Sequence, residues 1–386
     1  MTNFAKHNLY IDASPITTLK VSGIGHMLSN LVRAMGEDEE MKRDYQVILF
    51  GPKRAKKIID EWGFENVIYK SHGLPQKLIT AMNLFRILPP VNLWLGNGVY
   101  LFANYSNYPL TRKSKSLTYV LDLCYLSNPE LVKTKVRNIL KKNVPTWIKR
   151  TDKIIAISDF TKNELQKYYK ISEQKISIVP CGIDPIEFYP RPEAEIGDIK
   201  KKYNLPEKYI LFLSNIEPRK NLERLISAHI GLPLNLRKDY PLLIVGNESW
   251  MNEGIDKMLI KAEQNADKIY KPNRRIDDED IPALQSGARI LVHPAIYEGF
   301  GISPLQALAC GTPVVVSGAA SMPEVMGDAA LYINPFDEED IKGRIQEMLT
   351  NPKLRATKVE KGLSRVKQYT WAISVKKLKK AIDSQL

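Results

Sequence analysis

The chain has 386 residues, 44% of them hydrophobic and 26% charged. That length suits two globular domains rather than one; the composition excludes a disordered chain, and no run approaches the 18 apolar residues of a membrane span. The net charge of +13 is uneven: residues 1–190 hold 27 Lys and Arg against 17 Asp and Glu, and residues 191–386 hold 29 against 26.

In chain order, "NLYIDA", "YQVILF", "SLTYVLDL", "KIIAIS" and "KISIVP" predict strands in the first half. "YILFLSNI", "PLLIVG", "RILVHP", "TPVVVS" and "ALYINP" predict strands in the second. Between them run amphipathic helices, the clearest carrying Ile24, Met27, Leu28, Leu31, Val32 and Met35 on one face. Near-continuous apolar strands alternating with helices predict parallel sheets covered on both faces. The expected fold is therefore α/β, with two doubly wound domains at residues 1–188 and 189–368. The proline-rich "GIDPIEFYPRPEAEIGD" is the expected linker. A last helix over 369–386, with Trp371, Val375, Leu378 and Ile382 on one face, is expected to pack back on the first domain.

Ligands of such domains sit outside the carboxyl ends of the strands, and a cleft between two of them is the default site. The loops after strands therefore matter most. In "YEGFGISPLQALACGTPVVVSG", Ser303 and Gln306 have capping-box spacing with Pro304 at the first helical position, and Gly311 suits the helix end. The resulting helix start offers amides to an anion, Gly299 and Gly301 permit close approach, and Glu298 suits sugar hydroxyls beside a phosphate. "LSNIEPRKNLERLISA" places Arg219 and Lys220 at a helix start, poised for a diphosphate or else paired with Glu217 or Glu223. In "KIIAISDFTKNELQKYY" a strand ends at Ser158, Thr161 and Glu164 have capping-box spacing, and Phe160 with Leu165 forms a staple. Gly23 and Gly25 open the first helix, and Asp122 ends a strand. The scattered Cys124, Cys181 and Cys310 predict a reduced, cytosolic protein with neither disulfide frame nor metal site.

Together, "SGIG", "AISDFTKNEL", "IVPCGID", "EPRKNL", "LLIVG", "DDEDIPALQSGARILVHP", "YEGFGISPLQALACGTPVV", "SMPEVMGDAALYINP" and the terminal "TW" helix span nearly the whole chain. In order and spacing they resemble the retaining glycosyltransferases of family 4, which have the GT-B fold of two Rossmann-like domains facing across a cleft. The resemblance implies a hexosyltransferase using a nucleotide-diphosphate sugar, with no cofactor and no metal. Arg219 and Lys220 match its diphosphate-binding pair, Glu298 its sugar-binding acid, and Phe300, Gly301, Ile302 and Ser303 its phosphate cradle. Asn215, beside the basic pair, and Arg275, in the stretch from Asn273 to Asp280 that matches the base pocket, are further substrate-binding candidates. Gly23 and Gly25 would face the cleft; Ser158 and Asp122, each at the end of a strand, are further site candidates, with a capping or structural role as the other reading. Two positions depart from the family pattern: Gln306 replaces a second glutamate, and Leu121 precedes Asp122 where many relatives carry His.

GDP-mannose is the favoured donor, with dTDP-rhamnose and UDP-hexoses as alternatives. The acceptor is a glycan or lipid-linked hydroxyl in cell-surface polysaccharide synthesis. A nucleotide-sugar epimerase of the same fold and an inactive sugar-nucleotide-binding homologue are the rival readings. Residues 112–150 carry 10 basic residues against Asp122 and Glu130, joined by Lys53, Arg54, Lys56 and Lys57. With Leu78, Ile79, Met82, Phe85 and Trp94 in "LPQKLITAMNLFRILPPVNLWL", they suggest peripheral contact with an anionic inner leaflet; a solvated helix face and a buried core are the other readings. No nucleic-acid motif accompanies the charge.

Overall fold

The computed structural model describes residues 6–17, 23–53, 55–60, 66–247, 253–264, 268–272 and 274–386. They form two compact units: Met1–Gly182 with Trp371–Leu386, and Ile183–Thr370. The chain passes between the units after Gly182 and after Thr370. Ile183 and Thr370 form a parallel bridge, and the Ile183 amide donates to the Tyr369 carbonyl at 2.7 Å.

The first unit carries β1 (His7–Asp12), β2 (Tyr45–Gly51), β3 (Val67–Ser71), β4 (Val99–Phe102), β5 (Lys115–Val120), β6 (Lys153–Ala156) and β7 (Ile176–Ile178). All pair in parallel, in the order β3-β2-β1-β4-β5-β6-β7. The helix Gly23–Glu37 buries Met27, Leu28, Leu31, Val32 and Met35, as its spacing requires. The C-terminal helix Trp371–Asp383 packs against it and buries Val375, Leu378 and Ile382. Its Ser374 hydroxyl donates to the Pro180 carbonyl at 2.8 Å.

The second unit carries β8 (Ile210–Leu213), β9 (Leu242–Val245), β10 (Ile269–Tyr270), β11 (Ile290–His293), β12 (Val314–Ser317) and β13 (Ala330–Ile333). Its parallel order is β10-β9-β8-β11-β12-β13. The chain runs outward one way from β8 and the other way from β11, so the switch point lies between these two central strands. Every residue of β9, β11 and β12 is buried, which is why those strands read as unbroken apolar runs. The expected linker is in part a helix, Glu193–Tyr203, buried through Ile196, Ile199 and Tyr203 and ended by Asn204 in the left-handed region. Pro192 at its start restricts the entry without interrupting it.

Candidate active site

The two loops that leave the switch point of the second unit meet. After β8 the chain continues its ladder, with Ser214 and Ile216 donating to Val245 and Asn247 at 3.0 and 2.9 Å. It then makes a tight turn over Pro218–Lys220. Asn221 closes the turn at φ 60°, a conformation asparagine tolerates better than most residues. Its buried amide donates to the carbonyls of Pro294 and Pro335 at 3.0 and 2.6 Å, fastening the turn to the loops after β11 and β13. The helix begins only at Leu222. Arg219 and Lys220 thus precede the helix rather than sit in its first turn, which removes the unfavourable meeting of cations with the positive end of the helix dipole.

Glu298 comes from the loop after β11. Its Oε2 accepts from Arg219 Nη1 at 3.1 Å, and its Oε1 accepts from Lys220 Nζ and from His293 Nε2, the latter at 2.9 Å. Arg219 also pairs through Nε with Glu217 Oε2 at 2.8 Å, so the structural pairing and the site grouping coexist. Lys220 and Glu298 expose only 9% and 11% of their side chains, so these charges interact with little water between them. Burial pushes the Glu298 carboxyl up, but Lys220 and then Arg219 outweigh it and hold it well below the ordinary carboxylate range. Burial, reinforced by Arg219, pulls Lys220 down against the pull of Glu298. Burial likewise lowers His293, leaving a neutral imidazole whose Nε2 must carry the proton it gives to the carboxylate. His293 is the member that sequence reading missed; the available signal was a histidine at the carboxyl end of a central parallel strand, five residues before Glu298.

The helix after Glu298 starts at Ile302, not Pro304. Gly301 takes the cap position at φ 90°, and no side chain caps the helix. The Ser303 hydroxyl donates instead to the Leu213 carbonyl at 2.9 Å, tying the helix to the end of β8. The Ser303–Gln306 capping box therefore does not form. Nor does Gly301 merely admit a ligand: a Cβ there would collide with the Met322 methyl. Gly301→Ala should lose about 2–4 kcal/mol by denaturant unfolding, from the left-handed backbone and the overpacking combined. In a Met322→Ala background the cost of Gly301→Ala should be smaller, read as the coupling term of a double-mutant cycle. The amides of Phe300, Gly301, Ile302 and Ser303 have no acceptor among the described residues. Ile302, Ser303 and Gln306 form the less buried face of this short helix. Gly311, at φ 75°, ends it as expected.

Asn215 is exposed just beyond β8. Arg275 is exposed and pairs with Asp278 at 2.7 Å; Asn273 lies outside the described residues. Gly23, Gly25, Asp122 and Ser158 belong to the first unit. Ser158, not Thr161, caps its helix, accepting from the Thr161 amide at 3.1 Å. Phe160 therefore sits inside the first turn and cannot act as the preceding residue of a staple. Asp122 Oδ1 accepts from the Tyr105 hydroxyl at 3.2 Å and the Cys124 amide at 3.1 Å. Gly23 is exposed with nothing near the position of a Cβ, whereas Gly25 is buried; residues 18–22 before them lie outside the described residues. The three cysteines are buried and form no disulfide. Among the described residues no group of three or more His, Cys, Asp or Glu is arranged to hold a metal ion.

Residues 195–365 match the family described as glycosyl transferases group 1, and residues 124–187 match glycosyltransferase family 4. Over 276 residues the chain is 31% identical to the O-antigen chain mannosyltransferase B of Escherichia coli, covering 70% of this chain and 71% of that one. The chain belongs to the group 1 glycosyltransferases. This glycosyltransferase is also 30% identical over 58% of its length to the serotype-specific mannosyltransferase WbdA of Escherichia coli, of which it spans 28%. The Anabaena protein HepE, solved in complex with UDP and glucose, superimposes with a TM-score of 0.74 over 98% of the glycosyltransferase and all of that chain, at 14% identity. The fold is accordingly GT-B. These matches lend no support to an epimerase.

Proposed function

We propose that the protein transfers mannose from GDP-mannose to a hydroxyl of a glycan or lipid-linked acceptor, with retention of anomeric configuration, in the assembly of a cell-surface polysaccharide. The observation that carries this reading is the ionised Glu298 held between Lys220 and Arg219 at the switch point, beside a helix start with unengaged amides. The mannosyl preference is drawn from the two mannosyltransferase relatives.

In the reaction, the bond between the anomeric carbon and the diphosphate oxygen breaks, and its electron pair leaves with the diphosphate. The acceptor oxygen bonds to the same carbon on the same face, and its proton passes to the departing phosphate oxygen. Arg219, Lys220 and the amides of residues 300–303 stabilise the charge that develops there, and no metal is required. Glu298 accepts from the hydroxyls of the sugar. The protein would work at the cytoplasmic face of a membrane, as a peripheral enzyme.

A thermal-shift comparison of GDP, UDP and dTDP tests the donor. GDP at a hundredfold excess over its Kd should stabilise the protein by about 2.7 kcal/mol. A response to UDP or dTDP instead would overturn GDP-mannose, and silence to all three would overturn the site. Proton NMR of the product should show an α-mannoside; a β-mannoside would exclude retention.

A further inference from the structure

The first unit presents a surface unlike the rest of the chain. Residues 66–150 contain 13 Lys and Arg but only Asp122 and Glu130 as acids, and residues 66–121 contain no acid at all. Within the same stretch, Leu74, Leu78, Phe85, Ile87, Leu93 and Trp94 are exposed, Phe85 by 77%, Leu93 by 68% and Ile87 by 67%. Their neighbours Ile79, Leu88, Val91 and Leu95 fill the core beneath. The exposed apolar residues are therefore the outer side of a well-packed layer, not a loosely ordered core.

Phe85, the most exposed large apolar residue of this stretch, stands at a hydrogen-bonded turn. The helix Gln76–Leu84 ends in a doubly hydrogen-bonded turn: the Arg86 amide donates to Asn83 at 3.1 Å, and the Ile87 amide to Met82 at 2.9 Å. Arg86 holds the left-handed position at φ 62°, where glycine is usual. A charged residue there, flanked by Phe85 and Ile87, sets two large apolar side chains on either side of a cation.

The helix Thr134–Arg150 adjoins this turn. Its Arg150 donates to Asn83 Oδ1 at 2.9 Å, and Leu84 and Leu140 pack on the same core cluster. The helix carries no acid; Lys135, Lys141, Lys142 and Lys149 are exposed and make no ion pair among the described residues. Val136 and Ile139 are exposed on it as well. Among the described residues no helix is long and apolar enough to cross a membrane.

We propose that the turn Phe85–Ile87, the exposed side of Leu93 and Trp94, and the lysine-rich helix Thr134–Arg150 form a docking face for an anionic lipid bilayer. The apolar tips enter the interface while the lysines meet lipid phosphates. Apolar protrusion beside unopposed cations fits a lipid surface, whose charge and hydrocarbon lie in adjacent layers. A nucleic acid offers no such hydrocarbon layer, and a second copy of this face would bring like charges together. The inference does not depend on which sugar is transferred.

Vesicle co-sedimentation of the full chain tests it. The protein should sediment with phosphatidylcholine vesicles containing about 30% phosphatidylglycerol but not with pure phosphatidylcholine, and the binding should fall as salt rises. Phe85→Ser with Ile87→Ser should weaken binding about tenfold or more. Lys135→Glu with Lys142→Glu should weaken it at least about 25-fold, near fivefold for each lost cation. All four sites are exposed, so melting temperatures should hold. Wild-type protein that stays in solution, variants that sediment unchanged, or equal binding to neutral vesicles would each overturn the proposal. So would light scattering showing that the variants instead abolish self-association, or filter binding showing that they abolish RNA binding.

Discussion

Replacing Glu298 by alanine is expected to cut nucleotide-sugar turnover by roughly 10²–10³, the usual consequence of losing one preorganised polar group at a reacting centre. It should also lower stability by about 3–5 kcal/mol, because Lys220 would remain buried without the carboxylate that balances it. The two effects separate in Glu298→Gln. The amide oxygen can still accept from Lys220 and Arg219, so part of the stability should return, but the charge and one acceptor site are gone, and turnover should stay low. Turnover at saturating donor, paired with denaturant unfolding, checks both. Alanine and glutamine variants that turn over like wild type would remove Glu298 from the chemistry and leave it a structural ion-pair partner.

That double role was only half legible in the sequence. The spacing of "EPRKN" and "YEGFG" after two apolar strands located both loops, because a parallel sheet always delivers such loops to its carboxyl edge. What could not be read was that strand order makes the two loops neighbours, so that Glu298 touches both cations directly. His293 stayed hidden for the same reason: in a row of buried β11 residues, its significance appears only when Glu298 Oε1 is seen 2.9 Å away. The caps misled in a related manner. Ser303 fits the capping-box pattern, yet the left-handed Gly301, packed close to Met322, takes the cap position two residues earlier. At the other capping box, Ser158 supplies the acceptor that Thr161 was expected to supply.

The strands show the same divide. Those buried on both faces were plain from composition, whereas β3, β4 and β10 were not predicted. β3 lies at a sheet edge and has a mixed pattern of exposure. β4 is a buried run of four directly after the Gly96–Gly98 corner, and the sequence reading stopped short of it, at the end of "LPQKLITAMNLFRILPPVNLWL". That segment was offered two fates, core or membrane surface, and the structure divides it: Ile79 is buried, Met82 packs on the core, and Leu78, Phe85 and Trp94 are exposed. Arg54 and the Lys57 side chain lie outside the described residues.

Lys220→Met should likewise lower turnover by roughly 10²–10³, while preserving most of the volume of the buried stem. Its distinguishing signature is in pH. In the folded protein Glu298 is burdened by burial and relieved chiefly by Lys220, then by Arg219. Its pKa is below the unfolded value, so the stability it contributes is present above the ordinary carboxylate pKa of about 4.3 and is lost as pH falls through the depressed folded value. Removing the ammonium leaves burial opposed only by Arg219 and His293, so the folded pKa must rise. The acid limb of kcat/KM, which reports the free enzyme, should therefore move to higher pH in Lys220→Met, and acid unfolding should begin at higher pH too. Lys220→Arg, which keeps the charge but demands more room in a site with little exposure, should leave the acid limb near its wild-type position even where the rate suffers. An acid limb that stays put in Lys220→Met would show that Lys220 does not set the ionisation of Glu298, and the charge coupling at the centre of the site would have to be abandoned.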